Sequence, residues 1–186
     1  AMNGWNLILL NRSREKTDRQ INELREVCPD QDFHPYAADM MDLSDVGRVV
    51  GDIGVKHSRI SALYNIAGIL TDRRVESAQG IESHFAVNTV APYLIIQGLR
   101  KQLGSGSSAG QKSVIVNFST SAIKSVKLLE VAKLINPDEI GGLMGAYAKS
   151  KLAISMVTEM LREELLDEGV LIHSVDPGPT KTSMTG

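Results

Sequence analysis

Residues 6–11 read Asn6-Leu7-Ile8-Leu9-Leu10-Asn11, and a mainly polar stretch with Ser13 near its start follows them. A short apolar run bounded by polar residues predicts a buried strand. A serine directly before a polar, helix-compatible stretch predicts a helix N-cap, so we expect a helix from Ser13 to about Val27. This part of the chain therefore predicts a buried strand followed by a helix, which is the repeating unit of an α/β fold.

The same alternation of apolar runs and helical segments continues along the chain. Further strands are predicted at residues 33–38, 60–66, 114–118 and 170–175. Helices are predicted at residues 44–56, capped by Ser44, at 80–103, with a kink at Pro92, and at 143–167, ended by Gly169. The Gly/Ser-rich residues 104–110 predict a surface loop. Apolar strands separated by helices predict an α/β fold with a doubly wound parallel sheet, covered by helices on both faces.

Length, charge and cysteine content limit the classes of protein that this chain can belong to. With 186 residues and 42% hydrophobic content, residues 1–186 predict a single domain. The net charge of −2 is spread along the chain, which argues against a nucleic-acid partner. Cys28 is the one cysteine, so we expect no internal disulfide, no multi-cysteine metal site and a cytoplasmic location. No apolar run is long enough to predict a membrane span.

The strongest chemical signal is Tyr147-Ala148-Lys149-Ser150-Lys151, near the start of the last predicted helix. Residues four apart share a helix face, so Tyr147 and Lys151 should point the same way. A phenol titrates near pH 10 in isolation, and it can exchange protons near neutrality only if a neighbouring cation favours the phenolate. The spacing therefore predicts a proton-transfer pair in which Lys151 lowers the pKa of Tyr147.

Other motifs lie in and around the segments that follow predicted strands, where ligands bind in open α/β sheets. They are Asn65-Ile66-Ala67-Gly68, Phe85-Ala86-Val87-Asn88, Ser119-Thr120-Ser121 and Asp176-Pro177-Gly178-Pro179-Thr180-Lys181-Thr182. Together with Tyr147 and Lys151, and in this order, they resemble the motifs of the short-chain dehydrogenase/reductase family. The sequence departs from the family at Ile66, where the family carries a second Asn.

The resemblance implies a Rossmann-like fold and an NAD(P)-dependent oxidoreductase. Such an enzyme transfers a hydride between nicotinamide and a small-molecule carbonyl or alcohol substrate. In this reading Tyr147 donates or accepts the proton on the substrate oxygen. Lys151 would hold the cofactor ribose, and Asn88 would hold a water in a proton relay that runs to Lys151.

The resemblance also implies a hydroxyl that hydrogen-bonds the substrate oxygen. Thr120 matches this position, and Ser121 or Ser119 would take its place if the loop is shifted. Tyr147 follows Thr120 by 27 positions, a spacing close to that of the family's retinol-dehydrogenase-like members. We expect the apolar residues of this longer stretch to wall the substrate pocket, namely Leu128, Leu129, Leu134, Ile135 and Pro137.

Asn11-Arg12 follows the first predicted strand, where a family member that prefers NAD carries an acidic residue. Arg12 can pair with a ribose 2′-phosphate, so we predict NADP(H) rather than NAD(H). The resemblance implies that Asp39 bonds the adenine amino group. It also implies a cofactor contact at two turns, formed by Asn65, Ala67 and Gly68 after one strand and by Pro177, Gly178, Thr180 and Thr182 after the last.

One family feature is absent from this sequence. Family members start with a strand and a glycine-rich turn that opens a helix and binds the pyrophosphate, and residues 104–110 cannot replace it because they follow a helix. In the order 3-2-1-4-5-6 the absent strand would lie at the centre of the sheet. We therefore expect a fold that is incomplete at both ends and a natural protein that is longer than this chain.

Two other functions remain open at the level of sequence. One is a protein that keeps this fold for cofactor sensing or interaction without turnover, which Thr120 and the absent glycine-rich turn favour. The other is a nucleotide-sugar epimerase or dehydratase, because such relatives share the Tyr-x-x-x-Lys spacing. The resemblance also implies a homo-oligomer formed through the predicted helices at 80–103 and 143–167.

Overall fold

The computed structural model describes residues 4–106, 111–127, 129–135 and 144–178. The described strands are β1 (Leu7–Asn11), β2 (Phe33–Ala37), β3 (Ala62–Asn65), β4 (Ser113–Phe118) and β5 (Val170–Val175). The described α-helices are α1 (Arg14–Val27), α2 (Leu43–Lys56), α3 (Ser83–Phe85), α4 (Ala91–Gly106), α5 (Val131–Ile135) and α6 (Gly145–Asp167). A π-helical turn spans Ala86–Val90, and a 3₁₀ helix spans Ser121–Ser125.

The strands form two parallel sheets. β1 pairs with β2, so that Asn11 lies opposite Ala37. β3, β4 and β5 form the second sheet in that order, and Asn65 lies opposite Asn117. Among the described residues no backbone pairing joins β1 to β3. The predicted α/β class and parallel strand order are confirmed.

Most of the buried apolar side chains belong to one core, which packs α2 and α4 against the sheets. Its fully buried members include Val46, Ile53, Ile96, Leu103 and Ile115. A smaller cluster under α1 contains Ile21, Cys28 and Phe33. Helices thus cover both sides of β1, because this strand contributes side chains to both clusters.

Helix α1 confirms the predicted cap, since the Ser13 hydroxyl accepts a hydrogen bond from the Lys16 N–H at 3.2 Å. The predicted cap of α2 at Ser44 is wrong. Asp42 caps this helix, and its carboxylate accepts from the backbone N–H groups of Ser44 and Asp45. Gln79 contributes to the choice of cap, because its side chain accepts from the Leu43 N–H and donates to Asp42.

The predicted helix at 80–103 begins later than expected. Gly80 has a left-handed φ of +74°, and the helical segment starts at Ser83, behind the N-cap Glu82. At the kink predicted near Pro92, the structure has the π-helical turn Ala86–Val90, which lies just before the proline. Because proline has no N–H, the carbonyl of Asn88 lacks its α-helical donor.

The last helix and strand agree with the prediction. α6 ends at Asp167 and is followed by Gly169 with φ +79°, and β5 spans the predicted residues 170–175. α4 runs to Gly106, into the predicted loop, and the predicted helix start at Leu143 lies outside the described residues. None of the helices in the described ranges has the length and apolar character needed to cross a membrane.

Candidate active site

Three of the predicted site residues meet where the turn after β3 approaches α6. A Cβ atom added at Gly68 would lie 3.0 Å from Asn88 Oδ1 and 3.5 Å from Lys151 Nζ. At the first of these distances the Asn88 side chain, which is held by hydrogen bonds, would have to give by a few tenths of an ångström. Glycine at this position thus lets Asn88 and Lys151 approach the backbone without displacement.

Lys151 is a buried cation on α6, with 5% of its surface exposed. Its ammonium donates a hydrogen bond of 2.7 Å to the carbonyl of Phe118, the last residue of β4. Burial lowers its pKa to about 8, because removing the charge from water disfavours the ammonium form. The side chain is thereby aimed at the carboxyl end of the sheet.

Tyr147 lies half-buried one turn before Lys151, as the spacing predicted. Lys151 Nζ is 6.0 Å from the centroid of the Tyr147 ring. The pKa of Tyr147 is raised, first by burial and then by the negative charge of Asp176. Lys151 is not among the causes of this shift, and its ammonium bonds the Phe118 carbonyl. That Lys151 lowers the pKa of Tyr147 in the cofactor-bound protein stays a prediction.

Asn88 is buried in the π turn, and its side chain forms hydrogen bonds with Ile69 and Ser150. Its Oδ1 accepts from the Ile69 N–H at 2.8 Å, and its Nδ2 donates to the Ile69 carbonyl and to the Ser150 hydroxyl. The side chain therefore holds the turn after β3 against α6. Its backbone carbonyl has no α-helical donor because residue 92 is proline, and the water that the sequence assigned to Asn88 stays a prediction.

The three hydroxyls after β4 have different environments. Ser119 is buried, and its hydroxyl lies 2.9 Å from that of Ser155 on α6. Thr120 caps the 3₁₀ helix by accepting from the Ala122 N–H at 3.3 Å, which leaves its own hydroxyl proton free to bond elsewhere. Ser121 is exposed. The Ser119 alternative is disfavoured, and Thr120 and Ser121 remain open.

The residues predicted at the adenosine end lie at the carboxyl ends of β1 and β2. Asn11 donates from Nδ2 to the Thr17 hydroxyl at 3.0 Å, so its side chain supports α1. Arg12 is exposed, and Asp39 is exposed with one carboxylate oxygen accepting from the Met41 N–H. The guanidinium and the second carboxylate oxygen are thus available to a ligand at this edge.

The residues predicted at the nicotinamide end follow β5. Pro177 and Gly178 are exposed, and Gly178 has φ +72° and donates its N–H to the Asp176 carboxylate at 2.9 Å. Thr180 and Thr182 lie outside the described residues. Asn65 donates to the buried Asn117 side chain at 2.8 Å and so joins β3 to β4, and its contact with the cofactor stays a prediction.

The described residues offer contacts for the nicotinamide end and the adenosine end of a nicotinamide dinucleotide, but not for the pyrophosphate between them. Gly68 permits a close approach next to Lys151, and Arg12 offers an exposed cation at the other end. Within the described ranges, no glycine-rich turn leads from a strand into a helix to bind a pyrophosphate.

The chain matches the family model for short chain dehydrogenases over residues 1–131 and 138–186. It belongs to the short-chain dehydrogenase family. The match covers the residues assigned above to catalysis and to cofactor binding, and it leaves out residues 132–137.

Similar proteins include human retinol dehydrogenase 13, which is 26% identical over 190 residues and matches 99% of this chain and 54% of its own length. The NADPH-dependent 3-dehydrocapnine reductase of Ornithobacterium rhinotracheale is 26% identical over 184 residues, 97% of this chain and 59% of its own length. The chain thus spans little more than half the length of these two curated relatives.

The Pseudomonas aeruginosa RhlG/NADP active-site complex superimposes with a TM-score of 0.75 at 22% identity, over 99% of this chain and 65% of that one. Similarity at this level of identity shows the fold. It confirms the Rossmann-like architecture of this short-chain dehydrogenase family member.

The long segment between Thr120 and Tyr147 contains the 3₁₀ helix and α5. The Glu82 N–H donates to the Ile135 carbonyl at 2.9 Å, so α5 ends next to α3. Leu134 is buried, whereas the Ile135 side chain is 44% exposed. Leu129 is partly buried, and Leu128 and Pro137 lie outside the described residues. The wall that the sequence predicted stays a prediction.

Sequence reasoning missed the buried pair Glu82 and His84. Their side chains are 4% and 0% exposed, and Glu82 Oε1 lies 2.7 Å from His84 Nδ1. The His84 ring packs edge to face against that of Tyr147, with the ring centroids 6.5 Å apart. A Glu two residues before a His in a helical stretch is a weak signal, and the predicted helix start at Gly80 hid the capping position of Glu82.

Proposed function

We propose that this protein is an NADP(H)-dependent oxidoreductase that acts on a small carbonyl or alcohol substrate, with Tyr147 as the proton donor or acceptor. The observation that carries the proposal is the buried Lys151 beside Gly68 and Asn88, one helical turn from Tyr147. Burying a cation costs free energy that a purely structural position would avoid. The buried cation thus lies at the position where the family resemblance implies a functional lysine.

A nicotinamide cofactor, when bound, supplies or accepts the hydride. Tyr147 supplies or accepts the proton on the substrate oxygen. Because burial and Asp176 raise the pKa of Tyr147, the phenol is protonated at neutral pH. The same group serves both directions of the reaction, as proton donor in carbonyl reduction and as proton acceptor in alcohol oxidation.

Lys151 and Asn88 would serve the proton supply to Tyr147. With a pKa of about 8, Lys151 can lose a proton close to neutral pH more readily than an exposed lysine. The Asn88 carbonyl, which has no α-helical donor because residue 92 is proline, would hold a water next to it. Thr120 would orient the substrate oxygen, with Ser121 as the alternative.

The preference for NADP(H) rests on Arg12. A guanidinium at the end of β1 pairs well with a 2′-phosphate, and the sequence offers no carboxylate there for a ribose hydroxyl. Asp39 would bond the adenine, and Pro177 and Gly178 would contact the nicotinamide. The NADPH-dependent reductase among the relatives supports the same preference.

Binding of NADPH and NADH tests this proposal, measured by calorimetry on the 186-residue chain and on a version extended at both ends to the length of its relatives. We expect saturable NADPH binding by the extended form. Arg12→Asp should weaken it about tenfold or more, with little change for NADH, because the variant repels the 2′-phosphate. Tight binding by the short chain would show that the glycine-rich turn is dispensable.

Turnover separates the enzyme from the alternatives. In the extended form, Tyr147→Phe should reduce kcat by about 10²- to 10⁴-fold while NADPH still binds, because only the phenol proton is removed. NADPH binding without turnover of any carbonyl substrate would favour the non-catalytic function. Binding of a sugar nucleotide with high affinity would favour the epimerase or dehydratase.

A further inference from the structure

His84 is fixed in one neutral form by two partners. Its Nδ1 lies 2.7 Å from the Glu82 carboxylate, and its Nε2 lies 3.1 Å from the backbone nitrogen of Thr71. The Thr71 N–H can only donate, so Nε2 is the acceptor, and Nδ1 must carry the proton that Glu82 accepts. The imidazole therefore cannot exchange a proton with Tyr147 through either nitrogen.

Glu82 is well suited to hold this ring in place. Besides His84 Nδ1, its carboxylate accepts from the Ser83 hydroxyl and from the backbone N–H groups of His84 and Phe85. Burial raises the pKa of Glu82, but the hydrogen bonds from the His84 side chain and from the two N–H groups outweigh it and lower the pKa overall. Glu82 thus remains an anion beside a ring that is fully buried.

The imidazole ring of His84 also packs against the phenol ring of Tyr147. The rings of His84 and Tyr147 meet at an interplanar angle of 74° with centroids 6.5 Å apart, an edge-to-face geometry. The same imidazole holds Thr71, three residues after Gly68. His84 therefore joins three parts of the site, namely α3, the segment after β3 and the first turns of α6.

We propose that His84 is a positioning residue for Tyr147, in which the buried ring at position 84 packs against the phenol and sets its place relative to Lys151 and the turn at Gly68. This inference rests on the proposed function of Tyr147. The buried ring packs against the phenol and fixes its place, and the two hydrogen bonds of the imidazole stabilise the fold around it. Activity should then follow the presence of a ring at position 84, whereas stability should follow the hydrogen bonds.

Three substitutions separate the ring from its hydrogen bonds. His84→Phe keeps a ring and removes both hydrogen bonds. His84→Asn offers an amide N–H for Glu82 without a ring, and His84→Gln offers an amide oxygen for the Thr71 N–H without a ring. His57, which lies outside the site and is hydrogen-bonded to Tyr36 at 3.0 Å, gives the matched controls His57→Phe and His57→Asn.

Steady-state kinetics of the extended form, with NADPH binding and urea unfolding measured in parallel, provide the test. We expect kcat to fall about 10- to 100-fold in His84→Asn and His84→Gln, with KM and NADPH affinity within about twofold, because a displaced proton donor affects the chemical step. His84→Phe should unfold at lower urea yet keep kcat within about threefold. Equal losses of kcat in all three variants, or losses no larger than those of the His57 controls, would overturn the proposal.

A second measurement keeps the inference testable if the wild type shows no turnover. Tyr147 can be titrated by ultraviolet absorbance of its phenolate, as the difference between each variant and the same variant carrying Tyr147→Phe. His84→Asn should lower the pKa of Tyr147 towards the ordinary value, because water reaches the phenol, and His84→Phe should leave it raised. Asp176, Lys151 and Glu82, the charged groups around the pair, are unchanged. An unaltered pKa of Tyr147 in His84→Asn would contradict the role of His84. Absence of turnover in the wild type would contradict only the proposed function.

Discussion

At the scale of single residues, Lys151 shows the cost of building this site. Its ammonium is almost fully buried and bonds one carbonyl, that of Phe118, so little of its lost hydration is replaced. The pKa falls to about 8 for this reason. A group whose folded pKa lies below its unfolded value destabilises the fold while it is charged in both states, and this penalty disappears as pH rises.

The pH dependence of stability should therefore report Lys151. Between pH 8 and 10.5 only the unfolded chain keeps the proton, so wild-type stability should rise relative to Lys151→Met by on the order of 3 kcal/mol. Below pH 8 both states hold the proton, and the difference between the two proteins should be constant. Urea unfolding at a series of pH values measures this. Parallel stability curves for the two proteins across pH 8 to 10.5 would exclude a depressed pKa.

At the scale of elements, α6 is attached to the sheet by hydroxyl groups next to the site. The Ser155 hydroxyl lies 2.9 Å from those of Ser119 and Ser174 and 2.9 Å from the Lys151 carbonyl. It thus joins the ends of β4 and β5 to the turn of α6 that carries Lys151. Hydroxyl contacts permit a closer approach of helix and strands than larger apolar side chains would.

Replacing Ser155 should loosen this attachment. We expect Ser155→Ala to lower the free energy of unfolding by about 1 to 3 kcal/mol, because two partner hydroxyls lose a buried acceptor or donor. Ser105→Ala is the matched control, since among the described residues the exposed Ser105 hydroxyl bonds the Lys101 carbonyl of its own helix and no other group. That control should change stability by no more than about 0.5 kcal/mol. An equal effect of the two substitutions would show that the serine contacts do not hold α6.

At the scale of the whole molecule, the strands of the two sheets differ in their number of neighbouring strands and in their burial. β4 has a strand on each side, and alternate side chains along it are buried. β1 pairs only with β2 among the described strands, and all five of its residues are partly exposed. Strands with one neighbour and incomplete burial open more readily than central strands.

Hydrogen exchange should resolve this difference. We expect the β4 amides to exchange only through global unfolding, whereas those of β1 exchange at least about tenfold faster through local opening. Exchange measured by mass spectrometry on peptides covering Leu7–Asn11 and Ser113–Phe118 makes the comparison. Equal protection of the two strands would mean that the sheets unfold as one unit.

Periodicity and local chemistry predicted most of the elements from sequence. The apolar run at residues 6–11, the Ser13 cap and the Gly169 terminator depend on neighbours within one helical turn, so they could be recognised without a structure. The Tyr147 to Lys151 spacing is local in the same sense. The strand ends could likewise be matched to motifs, which placed Gly68 and Asn88 in the site.

The cap of α2 and the environment of Tyr147 depended on contacts between distant parts of the chain. Gln79 bonds Leu43 across 36 positions and helps to make Asp42 the cap, and the Lys151 ammonium bonds Phe118 across 33 positions instead of approaching the phenol. His84 reaches Thr71 across 13 positions. The sequence by itself determined which elements form and which residues share a helix face, because these follow from local periodicity. Only the tertiary structure decided the hydrogen-bond partners and the direction of the Tyr147 pKa, because burial and long-range bonds exist only once the helices pack on the sheet.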